Sequence, residues 1–118
     1  MKGALGLIAA AVLATGCTWS VEEAREKGPL ETYRSVKDQS DLAKCTLFAW
    51  QNDSLAGTRY RVFLQPRPGG GETVLNDFNR ELADFYRVGS ETRIDFFSNV
   101  GRPSYVTERR IKSIEGCL

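Results

Sequence analysis

The feature that most constrains this chain is an uncharged apolar run close to its N-terminus. Residues 4–14 read ALGLIAAAVLA, preceded by a single charge at Lys2 and followed by the small residues Thr15 and Gly16. The run has the length of the apolar core of a secretory signal, about 7 to 15 residues, whereas a membrane-spanning helix needs about 20. We therefore expect residues 1–16 to be a signal peptide that takes no part in the mature fold.

A cysteine stands directly after those small residues. The stretch LATGC, residues 13–17, resembles the lipobox of bacterial lipoproteins, although Ala14 stands where that family usually has Leu, Val or Ile. In the family the cysteine sulfur receives a diacylglyceryl group, a dedicated peptidase cuts before it, and the new amino terminus is usually acylated. The resemblance implies that Cys17 is the lipidated first residue of the mature chain. The alternative is plain secretion with cleavage nearby.

The residue after Cys17 bears on which membrane the chain reaches. In enterobacterial lipoproteins an aspartate at this place retains the protein in the inner membrane, and here the place holds Thr18. The resemblance therefore implies a cell-envelope protein anchored in the outer membrane, with the periplasmic face favoured over the cell surface.

The next stretch, to residue 29, is polar and ends in a Gly-Pro breaker, so residues 17–29 are predicted to be a lipidated N-terminus and tether. Ser20 and Glu23 have the spacing of a capping box, but a helix this short is marginal on its own. Fully extended, residues 18–29 would reach roughly 40 Å, which would hold the domain clear of the lipid headgroups.

Residues 30–118 are expected to form one globular domain, because 118 residues with the signal removed leave the length of a single domain. Of 16 basic residues only Lys2 precedes Cys17, so 15 basic residues balance 15 acidic ones in the mature part. This balance argues against a nucleic-acid partner and against a polybasic membrane-binding face. The chain has no histidine, the commonest general base and metal ligand, so we expect no enzyme, metal or cofactor.

Two cysteines remain beyond Cys17. An exported domain with two thiols in an oxidising compartment most simply joins them, so we predict a disulfide between Cys45 and Cys117. The alternative is a reactive thiol, which would have neither a histidine partner nor a C-x-x-C spacing.

The element pattern predicts an α+β fold of two layers: a small antiparallel sheet of three to four strands with two helices on one face, braced by the disulfide. A capping box at Ser35 opens the first helix, and Ser104 opens the second, on which Arg110 is expected to face water. Candidate strands cover residues 30–35, 59–65, 72–75, 81–88 and 91–98. The first candidate helix runs from the capping box at residues 35–38 to about residue 52, and the second covers residues 105–118, where a strand is the alternative.

Residues 66–71 contain two prolines and three glycines and are predicted to be a loop. The triple glycine invites comparison with phosphate-cradling loops. It lacks the Lys-Ser/Thr pair and the following helix of a P-loop, so the sequence favours a flexible hairpin connection.

Residues 89–90, Gly-Ser, predict a two-residue hairpin turn. The register that follows places Phe85 opposite Ile94 on the core face, and Asp84 opposite Asp95 on the face expected to be wet. Carboxylates that face each other across a ladder repel, which makes this pair a candidate for a weak cation site or a shared proton. The alternative is a solvated pair shielded by neighbouring arginines.

Beyond the lipobox, the body resembles small uncharacterised envelope lipoproteins of proteobacteria. The resemblance rests on Cys45, Trp50, the glycines at 69–71 and Cys117, and it implies no activity. We expect a membrane-anchored envelope lipoprotein whose domain is a non-catalytic binding or structural module for an envelope protein or polymer. The alternatives are an inhibitor or exclusion factor acting on a hydrolase or on phage or plasmid uptake, and a small hydrolase using Asp84 and Asp95.

Overall fold

The computed structural model describes residues 20–77 and 80–118. Within these ranges the chain forms three helices and one five-stranded antiparallel sheet, in the strand order β1-β5-β4-β3-β2. The elements are α1 (Val21–Lys27), β1 (Glu31–Ser35), α2 (Gln39–Asn52), β2 (Val62–Pro66), β3 (Glu72–Asn76), β4 (Glu81–Val88), β5 (Glu91–Ser98) and α3 (Tyr105–Cys117). The α+β class is confirmed, but the expected three to four strands and two helices were too few.

The main core lies between the sheet and the helices α2 and α3. Side chains alternate along each strand, so Ala83 and Phe85 of β4 and Ile94 and Phe96 of β5 point to the same face. Trp50 of α2 packs edge-on against Phe96, with ring centroids 6.0 Å apart. Each aromatic side chain buried in this way contributes about 1.5 to 3 kcal/mol to folding. As predicted, α2 and α3 therefore cover one face together.

Helix α1 lies on the opposite face of the sheet, which makes the domain three layers thick rather than two. Its Ala24 is 0% exposed and packs with a second apolar cluster formed by Leu75, Leu82 and Phe97. Ser20 caps the helix by accepting a hydrogen bond from the amide of Glu23 at 3.1 Å, as the capping-box spacing predicts. Residues 21–27, which we expected to be part of the tether, form this helix, and the methyl group of Ala24 lets it pack closely on the sheet.

Helix α2 begins later than the sequence pattern indicates. Asp38 is its N-cap and accepts hydrogen bonds from the amides of Ser40 and Asp41 at 3.0 and 3.2 Å. Ser35, the predicted cap, is instead the last residue of β1 and pairs with Thr92 of β5. No helix in the described ranges is long and apolar enough to cross a membrane.

The predicted loop connects β2 to β3 through residues 67–71, and Pro66 ends the edge strand β2. All three glycines of this loop have positive φ, between 85° and 112°. At Gly71 a β-carbon would lie 2.2 Å from the carbonyl oxygen of Phe85, so the loop passes too close to β4 for any side chain there. The triple glycine is therefore a requirement of the loop's path over the sheet.

Candidate functional site

The predicted disulfide joins Cys45 of α2 to Cys117 at the end of α3, with a Cα–Cα distance of 5.9 Å. It fixes the two helices side by side over the main core, and the prediction is confirmed. Cys17, the predicted lipidation site, lies outside the described residues.

Asp84 and Asp95 face each other across β4 and β5, in the register that the turn at residues 89–90 predicts. They are 2% and 9% exposed, so the expectation that this face is wet is wrong at both residues. The physical reason is that α1 and the β2–β3 loop both reach over this face and bring side chains onto it.

A guanidinium group occupies the position where the sequence suggested a bound cation. Arg25 of α1 donates to both oxygens of Asp84, from Nε at 2.9 Å and from Nη2 at 3.0 Å. The hydroxyl of Thr73 donates to the same carboxylate at 2.6 Å, and Nε of Arg67 lies 3.6 Å away, a charge contact beyond hydrogen-bond length. The hydrogen bonds from Arg25 to Asp84 raise the pKa of the arginine. The carboxylate is therefore already neutralised.

Asp95 has separate partners. The hydroxyl of Tyr86 donates to Oδ2 at 2.7 Å, and Nε of Arg93 donates to Oδ1 at 3.1 Å. Burial raises the pKa of Tyr86, and the hydrogen bond to Asp95 raises it further. In the described part of the chain, no three side chains of the types His, Cys, Asp and Glu are grouped so that they could hold a metal ion.

Arg67 links this carboxylate network to the glycine loop. Its guanidinium carbon lies 4.1 Å from the centroid of the Tyr86 ring, a cation–π contact, and its Nη1 donates to the carbonyl oxygen of Gly70 at 3.0 Å. Backbone hydrogen bonds from Arg67 to Gly71 and from Gly70 to Arg67 close the loop. The side chain is thus fixed on both sides.

Next to Arg67 the surface contains a cavity of about 320 Å³. Its lining consists of Gln39, Arg67, the three glycines at 69–71, Tyr86 and Arg87. Two of these side chains are guanidinium groups and none is acidic. The cavity is therefore a positively charged recess at the end of the sheet where the glycine loop crosses β4.

A second polar cluster lies in the main core. Arg110 of α3, expected to face water, is 0% exposed, and its Nη1 donates to the carbonyl oxygen of Trp50 at 3.0 Å. Burial lowers the pKa of Arg110 and raises the pKa of Glu81, a buried carboxyl to which Asn76 donates at 2.5 Å. The burial of Arg110 could have been expected, because it lies four and seven residues before Ile114 and Cys117 on one stripe of the helix.

The sequence does not predict the arginines beside Asp84, because no local pattern connects Arg25 or Arg67 to this carboxylate. Arg25 lies 59 residues from Asp84 along the chain, and only the docking of α1 brings them together. Arg67 belongs to a loop that the sequence identified as a connection, without any signal for its direction.

No protein-family model matches the chain, and neither a curated protein nor a solved structure matches it. What the chain does must therefore follow from its own residues.

Proposed function

We propose that the protein is a membrane-anchored envelope lipoprotein whose small domain is a non-catalytic binding module. The observation that carries the anchor is the sequence of residues 13–17, where a cysteine follows small residues at the end of an uncharged apolar run. Cys17 would carry the lipid, and Thr18 after it favours the outer membrane.

The disulfide supports export. Disulfides persist in oxidising compartments and are rare where glutathione keeps thiols reduced. Cys45 and Cys117 are bonded in this domain, and Cys117 is buried in the main core. A domain that contains such a bridge fits the cell envelope.

The state of the two carboxylates supports binding rather than hydrolysis. A hydrolase using Asp84 and Asp95 would need at least one of them free to accept a proton or to hold a metal ion. Asp84 is bound by Arg25 and Thr73, and Asp95 is bound by Tyr86 and Arg93. These carboxylates position arginine and tyrosine side chains around an open cavity, which is the role expected of polar residues in a binding site. No feature of the described residues favours an inhibitor or exclusion factor over another kind of binding module.

Replacement of Cys17 by Ser tests the anchor. Wild-type protein should sediment with membranes and incorporate a clickable fatty acid, because the lipid is attached through the cysteine sulfur. The Cys17→Ser chain should remain an unprocessed precursor or be found in the soluble fraction, without label.

The matched control is Thr15→Ser, which leaves a small residue two places before Cys17 and should behave as wild type. A Cys17→Ser chain that sediments with membranes at the mature mass would refute the assignment. In sucrose gradients wild type should follow outer-membrane markers, and Thr18→Asp should move it toward the inner membrane.

A further inference from the structure

We propose that the cavity beside the glycine loop binds a phosphate monoester group. Its volume of about 320 Å³ falls within the range of about 300 to 1,000 Å³ typical of small-molecule sites. The inference rests on the cavity itself and does not depend on a lipid at Cys17.

Charge is the first argument for an anionic ligand. Arg67 brings a positive charge to the cavity, because Asp84, the carboxylate that it contacts at 3.6 Å, is already paired with Arg25 at 2.9 Å. Arg87 adds another at the cavity wall, where no acidic side chain opposes it. An anion entering the cavity therefore meets a net positive potential.

The second argument is that Arg67 is held in place before a ligand arrives. The ring of Tyr86 supports its guanidinium plane, the carbonyl of Gly70 accepts from Nη1, and Asp84 attracts Nε. In the described part of the chain nothing accepts from its Nη2. A fixed guanidinium with a free donor loses little side-chain freedom on binding, which improves affinity.

The glycine loop supplies backbone donors. Among the described residues nothing accepts from the amides of Gly69 and Gly71, and both residues line the cavity. At Gly69 a β-carbon would meet nothing within 4 Å, so a ligand can approach this amide closely. Backbone amides beside a glycine-rich turn are common partners of phosphate oxygens.

The geometry favours phosphate over a planar carboxylate. Tyr86 and Arg87 are neighbours on β4, so their side chains leave opposite faces of the sheet. The donors of Arg67, which stacks on Tyr86, and those of Arg87 therefore reach the cavity from different sides, and the glycine loop also lines it. A phosphate monoester has three strong acceptor oxygens and a carboxylate has two, so the phosphate can accept from donors on more sides at once.

The test is a titration of the purified full-length protein, in mild detergent, with inorganic phosphate. We expect saturable shifts of the amide NMR signals of the glycines at 69–71 and of the Arg87 side chain, with chloride at the same ionic strength giving none. Absence of saturable shifts at these residues would overturn the proposal.

Arg87→Gln is the decisive variant, because no described residue pairs with its guanidinium and the fold should be unaffected. It should weaken phosphate binding about tenfold or more, as expected for loss of a charge-assisted hydrogen bond. Arg59→Gln, on an exposed loop outside the cavity, removes the same charge and should leave binding unchanged. Equal affinities in wild type and Arg87→Gln would refute the site, as would equal weakening by both variants.

A short-chain phosphatidic acid, titrated in the same way, distinguishes the two sources of a phosphate monoester. Binding tighter than inorganic phosphate, and equally dependent on Arg87, identifies a lipid headgroup as the ligand. Equal or weaker binding identifies a soluble phosphate compound. Neither titration depends on a lipid at Cys17. A negative result for lipidation of Cys17 and a negative result for phosphate binding can therefore be distinguished.

Discussion

Replacing Arg25 by Met should lower the free energy of unfolding, because it removes much of the interaction that holds α1 on the sheet. Asp84 is 2% exposed, and without Arg25 its carboxylate keeps only the Thr73 hydroxyl and a guanidinium nitrogen 3.6 Å away. Removing one partner of a buried ion pair costs about 3 to 5 kcal/mol. Because the Arg25 side chain is 23% exposed and Arg67 remains close, we expect a smaller loss, about 2 to 3 kcal/mol.

The assay is denaturant unfolding of a double-mutant cycle with Asp84→Asn. Arg25→Met hardly changes helix propensity, so its effect reports the contacts of the guanidinium with Asp84 and with the Thr73 hydroxyl, to which Nη2 donates at 3.0 Å. The cycle isolates the part that is due to Asp84. In the double variant no uncompensated charge is buried, and it should lose about 1.5 kcal/mol less than the sum of the single variants.

The expected loss corresponds to a fall in Tm of roughly 10 to 20 °C in a domain of this size. Arg59→Met, on an exposed loop, is the matched control and should leave stability unchanged. A loss below about 0.5 kcal/mol for Arg25→Met, or additive single effects, would refute the reasoning that the pair holds α1.

The disulfide closes a separation of 72 residues, which on the chain-entropy model corresponds to about 4 kcal/mol, so reduction and the double variant Cys45→Ala/Cys117→Ala should both lower Tm by about 20 °C. Two free thiols in the unfolded, unreduced protein would contradict this. Burial raises the pKa of Glu81 above 4.5. The protonated carboxyl therefore stabilises the fold fully below pH 4.5, and this stabilisation is lost as the pH rises through the pKa of Glu81 in the folded protein. Glu81→Gln should therefore remove this decline and stabilise the domain at neutral pH; a variant with the wild-type pH profile in unfolding experiments would count against it. Gly70→Ala and Gly71→Ala both place a side chain at positive φ, but only at Gly71 would the β-carbon meet the Phe85 carbonyl, at 2.2 Å. Gly70→Ala should cost about 1 to 2 kcal/mol and Gly71→Ala at least twice as much, and equal losses would show that the loop can move away from β4.

Local patterns predicted the parts of the fold that local physics determines. The turn at residues 89–90 and the alternation beside it fix the β4–β5 register, because a one-residue shift would turn Phe85 and Ile94 away from the core. The apolar stripes of α2 and α3 and the pairing of Cys45 with Cys117 follow from helix periodicity and from cysteine count. The register and the helix stripes need no information from distant segments, and the disulfide needs only the number of cysteines that remain beyond Cys17.

The features that the sequence did not reveal all depend on tertiary contacts. Asp38 rather than Ser35 caps α2 because Ser35 is already paired in β1, and two competing caps cannot be ranked from local sequence. Helix α1 is too short to be stable by itself, so its formation depends on the burial of Ala24 and on Asp84. The cavity likewise assembles from the start of α2, the glycine loop and the end of β4.

The docking of α1 would limit how far a domain anchored at Cys17 could lie from a membrane. For a chain anchored at Cys17, only four Cα–Cα steps separate the anchor from Val21, which allows about 14 Å at full extension. Tension on such an anchor would act on α1, which is held to the sheet by the burial of Ala24 and by the ion pair of Arg25 with Asp84 on the central strand. An anchored domain would therefore stay close to the membrane surface and would change its orientation as one body. A ligand or partner would have to approach the membrane surface to reach it.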